Sequence, residues 1–202
     1  MIIKRKYSPI CRVLSIRIIL MGIFFYNCED TITDIPFSIN YGVVINEINY
    51  RPSITGDWVE LYNPTDETIA IGLWMLKDDN DDHVFTIPEN TIISANDFIV
   101  LCKDIASFEI LFSEVNNIGD FGFGLGGGDQ VRLFDSSEKL VDKVEYDEED
   151  PWPEESDGQG AILELIHPSL DNNRVENWAA SNSNNGTPGE INSVYNSVYD
   201  DE

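Results

Sequence analysis

Eight short runs rich in β-branched and aromatic residues, with Pro, Gly, Asn and Asp between them, dominate the chain between residues 42 and 166. They are GVVINEIN (42–49), DWVELYN (57–63), IAIGLWMLK (69–77), HVFTIP (83–88), DFIVLC (97–102), QVRLFD (130–135), LVDKVEY (140–146) and AILELI (161–166). Runs this short suit half-buried strands better than helices, and turn clusters at fairly even spacing predict an all-β sandwich or barrel. Alternation agrees with this. In DWVELY, Val59 and Leu61 point one way while Trp58, Glu60 and Tyr62 point the other; in QVRLFD, Val131 and Leu133 oppose Arg132 and Phe134. One segment departs from the pattern, because Ile105, Phe108, Leu111 and Phe112 are spaced for a single amphipathic helix behind an Asp104 cap. With 202 residues, 42% of them apolar, the chain can bury one sizeable core, so one domain with tails is expected.

The N-terminal segment differs in kind. Lys4, Arg5, Lys6, Arg12 and Arg17 precede or border the apolar run Ile18 to Tyr26, and no acid occurs before Glu29, which predicts a signal peptide over residues 1–27. The run is short of the ~20 residues that a membrane-spanning helix needs. It leads into FYNCED, so Cys28 stands where a bacterial lipoprotein keeps its lipid-modified cysteine, and Glu29 with Asp30 resembles the acidic surface-export tag of Bacteroidota lipoproteins. Phe25, Tyr26 and Asn27 are bulkier than the usual Leu-small-small triplet; the alternative is an ordinary signal peptide cut nearby, with Cys28 incidental. Residues 28–41 read as a polar tether and 193–202 as an acidic tail without a core signal.

The formal net charge is −25, and removing the five basic residues of the leader leaves seven Lys and Arg against 37 acids, about −30. Such a surface repels phosphate polymers and anionic lipid headgroups, so nucleic acid is not an expected partner, while cations and uncharged polymers are. Of three cysteines, Cys11 falls in the leader and Cys28 is assigned to lipid, which leaves Cys102 in FIVLCK as a small buried thiol with no intramolecular partner.

Three stretches invite a chemical reading. GFGLGGG holds a formal G-x-G-x-x-G at Gly122, Gly124 and Gly127, yet a strand follows it where a dinucleotide site needs a helix N-terminus; a hairpin-like connection is expected instead. In KDDNDDHVFTIPE, Asp78, Asn80, Asp82 and Glu89 fall at positions one, three, five and twelve of a calcium loop. His83, however, occupies the sixth position, where the sharp turn needs Gly, and an extended HVFTIP carries Glu89 about 23 Å away. A looser calcium site of Asp78, Asp79, Asp81 and Asp82 survives, against the plainer reading of a solvated turn. Finally, EYDEEDPWPEESDGQG sets Trp152 among carboxylates, including Glu145, Asp147 and Asp157, an arrangement suited to a sugar, a cation or hydrolysis by a carboxylate pair. More often a lone Trp in such a loop plugs back onto the core. The two histidines, His83 and His167, have no spacing that suggests zinc or a triad.

Read in order, VVINEINYRP, GDWVELYNPTDETIAIGLWMLKDD, FTIP, FIVLC, GFGLGGGDQVRLFD, DPWPEESDGQGAILELIHP and DNNRVENWAASNSNNGTPGEIN resemble the lamin tail domain, over residues 42–192. Arg51 and His167 stand where bacterial members commonly show Asn and Asp. The resemblance implies an immunoglobulin-like β-sandwich with one short helix, and a non-catalytic envelope or extracellular module of adhesion, scaffold or ligand-presenting type. Its expected partners are a protein or polysaccharide at the cell surface and, through the lipid, the outer membrane. DNA binding, a property of some lamin tails, is not carried over because the charge opposes it. Two rival readings are a carboxylate-only extracellular hydrolase using the 145–157 loop and a calcium-stabilised structural surface protein. On this view Glu47 and Glu60 are structural trim of the sandwich.

Overall fold

The computed structural model describes residues 42–200, so the expected leader (1–27), Cys28 and the tether through residue 41 lie outside the described residues. In chain order the strands are β1 (Val44–Asn49), β2 (Trp58–Asn63), β3 (Ile69–Ala70), β4 (Met75–Lys77), β5 (Phe85–Thr86), β6 (Ile92–Ile93) and β7 (Asp97–Cys102). Helix α1 (Ile105–Phe112) comes next, followed by β8 (Asn117–Gly119), β9 (Asp129–Phe134), β10 (Leu140–Tyr146), β11 (Leu163–Leu165) and β12 (Trp178–Ala180). Six strands form one sheet in the order β12-β11-β1-β2-β7-β8, four form a second in the order β10-β9-β4-β5, and β3 pairs with β6. Neighbours run antiparallel except β7 and β8. This is the all-β, immunoglobulin-like sandwich with one short helix expected from the sequence.

Period-two alternation, broken in β1 by a bulge between Ile45 and Glu47, explains the core. Ile45, Ile48, Val59, Leu61, Ile99 and Leu101 of the six-stranded sheet, with Leu76, Val131, Leu133 and Val144 of the four-stranded one, are each at most 2% exposed and form one cluster. Burying an aliphatic side chain of this size contributes about 1.5–3 kcal/mol. The run 69–77, expected as one strand, is two. Leu73 takes a φ of 66°, and a Cβ on Gly72 would stand 2.8 Å from the backbone nitrogen of Asn90, so the chain turns there and passes from β3 to the four-stranded sheet at β4. The glycine run after residue 121 is likewise no hairpin. Phe121, Phe123 and Leu125 are buried as their alternation predicts, but the segment carries the chain from β8 in one sheet to β9 in the other.

The other face of β2 is buried as well at Trp58 and Glu60. Trp58 is fully buried and meets Phe108 of α1 edge-on, with ring centroids 5.8 Å apart, beside Val100, Cys102 and Ile162. Burial pushes the Cys102 thiol up to about 12, so it is an inert core thiol. Helix α1 is capped as expected, the Asp104 Oδ1 accepting from the Ser107 N–H at 2.8 Å. The helix rests on the sheet chiefly through Phe108, and Leu111, placed on the buried stripe by its spacing, is 43% exposed. Asp104→Ala is expected to cost about 1 kcal/mol, read as a lower urea midpoint at unchanged slope.

Beyond α1, the same outer face carries a row of three fully buried glutamates, because the register places Glu47 opposite both Glu164 and Glu60. A strap over residues 186–194 covers them. Thr187 approaches Glu47 Oε1 with its N–H at 3.1 Å and its hydroxyl at 2.7 Å, and the same hydroxyl lies 3.1 Å from Glu164 Oε1. Gly189 N–H donates to Glu60 Oε2 at 2.6 Å, while the Ser193 hydroxyl and the Val194 N–H donate to Glu164 Oε2. The expected acidic tail (193–202), described here through residue 200, thus begins in this strap. It continues with the Tyr195 ring 5.0 Å from that of His167, and Tyr195 and His167 both hydrogen-bond Asp200.

Candidate functional site

The four-stranded sheet brings three chain segments to one end. β4 leaves the sheet at Lys77, opposite Arg132; β9 begins at Asp129, opposite Tyr146; and β10 ends there and runs on into the acidic loop. Together they border an open pocket of about 410 Å³, lined in part by Asp79, Asp129, Gln130, Glu145, Tyr146, Asp147 and Trp152.

The set Asp78, Asp79, Asp81 and Asp82 is not brought together. Asp81 turns away to Arg132, its Oδ1 2.9 Å from Nη1, and the Asp82 N–H is held by the Asn80 side chain at 3.0 Å. Asp78 is 3% exposed, accepting from the Asn80 N–H through Oδ1 while its Oδ2 lies 2.6 Å from His83 Nδ1. Thus His83, the residue that breaks the calcium-loop pattern, instead fixes the turn, and it also stacks on Phe123 at 5.4 Å. Carboxylate oxygens of Asp78, Asp79 and Asp129 lie within 4.8 Å of one another, so any divalent cation here would be held by a set that includes Asp129 and omits Asp81 and Asp82. Asp129 carried no local signal, since it reaches the turn only through the pairing of β4 with β9.

Asp129 is held in place. Its Oδ1 accepts from the N–H groups of Asp79 and Gln130 and its Oδ2 from that of Gly126. Burial holds its carboxyl above the usual carboxylate range, and those three backbone donors oppose the shift. Of the acidic loop, Glu145 pairs with Lys143 at 2.9 Å, and Asp147 Oδ1 accepts from the N–H groups of Glu148 and Glu149. Arg51 closes the base of the loop, 2.5 Å from both Glu148 and Asp157.

Trp152 both joins the core and lines the pocket. It is 8% exposed and packs against Tyr146 and Trp178, each at a centroid distance of 6.4 Å. The Trp178 indole N–H donates to the Asn172 carbonyl at 2.8 Å.

The family model for the Lamin Tail Domain matches residues 38–148, more than half of the chain, and so spans β1 to β10. No curated protein matches the chain.

Proposed function

The chain belongs to the lamin tail domain family, a family of immunoglobulin-like structural domains, and from that premise we propose that it is a non-catalytic binding module of the cell envelope. In this reading a lipid on Cys28 holds it at the outer membrane or cell surface, and its folded part acts in adhesion or as a scaffold for a protein or polysaccharide ligand. The observation that carries the proposal is the pocket at the end of the four-stranded sheet, where carboxylates, an amide and an indole converge on one open space. Loops at one end of a sandwich are the usual place for recognition on such a fold.

Hydrolysis by a carboxylate pair has weaker support. It needs one carboxyl free to give a proton and another free to act as base or nucleophile. Here both oxygens of Asp129 are engaged by backbone N–H groups, Asp147 tethers its own turn, and Glu145 is paired with Lys143. A calcium-stabilised structural role draws on the approach of Asp78, Asp79 and Asp129.

One experiment separates the three. The immobilised protein is exposed to envelope polysaccharide and extracellular protein fractions with and without calcium, and bound and cleaved material are identified by mass spectrometry. The expected outcome is a reproducible partner recovered intact. Shortened polymer would establish the hydrolase, and capture of nothing under either condition would leave the structural role.

A further inference from the structure

The outer face of the six-stranded sheet is closed mainly by polar contacts, and we propose that this closure is a pH-operated gate. In mildly acidic medium the strap over residues 186–194 lies shut on the glutamate row; as the medium turns alkaline it lifts from the sheet, ahead of unfolding. The row itself holds the strap down. Of its carboxyl oxygens, Glu47 Oε1, Glu60 Oε2 and both of Glu164 lie within hydrogen-bond distance of strap donors, Glu60 Oε1 accepts from Asn46 Nδ2 at 2.8 Å, and Glu47 Oε2 is buried without a partner. Apolar packing adds little, since only Gly186, Pro188 and Asn192 of the strap are buried and its largest apolar side chain, Ile191, is 64% exposed. A segment with so few buried apolar contacts opens at a lower cost than the core cluster on the other side of the sheet.

Charge sets the direction. β1 contributes Glu47, β2 Glu60 and β11 Glu164, and facing them are Thr187, Gly189, Ser193, Val194 and Asn46, all neutral. Glu190, the strap's own acid, is exposed, and among the described residues no lysine, arginine or histidine pairs with the row. Neutral dipoles do not offset three adjacent charges away from water, so the closed form retains protons that the open form, reached by water, gives up. The form that holds more protons is favoured by acid, which places closure on the acidic side and lifting on the alkaline side. Open, the strap leaves the faces of β11, β1 and β2 to water with their carboxylates ionised.

The strap is anchored on both sides, so it can close again when protons return. At its base the Asn182 N–H donates to Ser193 Oγ and the Asn182 side chain to the Ser193 carbonyl, each at 2.7 Å. Beyond it, His167 Nδ1 accepts from the Ser169 N–H at 3.2 Å, which leaves the Nε2 hydrogen for Tyr195 and Asp200. That second anchor needs no charge on the ring, so it keeps its hold where the row loses its own. Asn192 adds a neutral contact within the strap, donating to the Leu165 carbonyl at 2.8 Å.

Amide hydrogen exchange followed by NMR tests the gate. The N–H groups of Thr187, Gly189 and Val194 donate to the row and report on the strap, while the amides of β2 and β7 report on the sandwich. After correction for the intrinsic rate at each pH, the strap amides are expected to be less protected than the sheet amides throughout. Their protection should fall about tenfold per pH unit for each carboxyl that ionises on opening, hence about a hundredfold or more between about pH 5.5 and about pH 7.5. Glu47→Gln should remove one carboxyl's share of that fall, and the wild-type series is decisive even where the variant does not fold. Equal protection of strap and sheet at every pH would show that the segment opens only with the whole fold and would overturn the gate. Strap protection that is constant or rises with pH would overturn it as well, because the row would then be ionised in the closed form. So would an unchanged slope in a folded Glu47→Gln protein, since the row would not be what governs the strap.

Discussion

Raising the pH from about 5 to about 8 should lower the folding stability of this protein by several kcal/mol, through the buried carboxyls of Glu47 and Glu60. Burial, with the charges of Glu60 and Glu164 beside it, pushes the Glu47 carboxyl well above its ordinary range. Burial likewise pushes Glu60 to about 8, against the opposing hydrogen bonds from Gly189 and Asn46. Hydrogen-bond geometry points the same way. Thr187 has one hydroxyl proton for two contacts, to Glu47 and to Glu164, so one of them needs a proton supplied by a carboxyl. Both groups thus hold protons in the folded state that the unfolded chain has released above its ordinary value near 4.5. Where the native state binds more protons, stability falls as pH rises, so their contribution is complete below about 4.5 and, for Glu60, lost by about 8. Each retained proton contributes a slope of about 1.4 kcal/mol per pH unit, against a total stability of about 5–15 kcal/mol for an ordinary domain. Urea midpoints measured at successive pH values test this. Glu47→Gln keeps an acceptor for Thr187, puts its amide nitrogen where the unpartnered Oε2 lies, and should roughly halve the slope while stabilising the protein at pH 8. A flat stability curve would mean that Glu47 and Glu60 are ionised and fully compensated by the strap.

Gly186→Ala should cost about 2–4 kcal/mol, from backbone strain and overpacking together. Gly186 has a φ of 78°, and a Cβ there would stand 2.9 Å from Ile162 Cγ1 and 3.1 Å from Glu47 Oε2, with Ile162 Cδ1 closer still. None of these neighbours has room to withdraw, since Ile162 is 1% exposed and Glu47 fully buried. Gly122→Ala is the control. A Cβ at Gly122 meets nothing within 4 Å and its φ is not left-handed, so its effect should stay within about 0.5 kcal/mol. Equal loss at both positions would show that the strap does not lock the sheet.

Local signals were sufficient where a strand's neighbours could be ignored. The bounds of β2, β7 and β10 follow from alternation and turn residues, and Asp104 marked the start of α1. Long-range placement defeated them. Glu60 and Glu164 sit on the side of a strand that alternation assigns away from the core, which reads as a solvent face, and Glu47 joins them only through the bulge that follows Ile45. Nothing near them tells that Thr187 and Gly189, 140 and 129 positions away in the chain, close over that face. The motif GTPGEIN in fact carries the information, because its donors match the three carboxylates, but only the register of β11, β1 and β2 aligns those carboxylates in a row. The pocket was half visible for the same reason. Trp152 and Asp79 could be singled out from local composition, while Asp129 joins them through the pairing of β9 with β4 and β10.

The same topology bears on how the chain survives its own assembly. β1 pairs with β2 early in the sequence, yet its other neighbour, β11, begins only at Leu163. During folding β1 is therefore an open edge for as long as the later strand has not docked, and pairings across such a sequence distance form slowly. An unpaired, apolar edge invites the strands of other chains. In that interval Glu47 is in water at its ordinary acidity and carries a charge in the middle of INEI, where it acts as a gatekeeper against association. A residue that strains the finished sheet by being buried thus protects the unfinished one, and the strap that silences its charge is the step that ends the hazard.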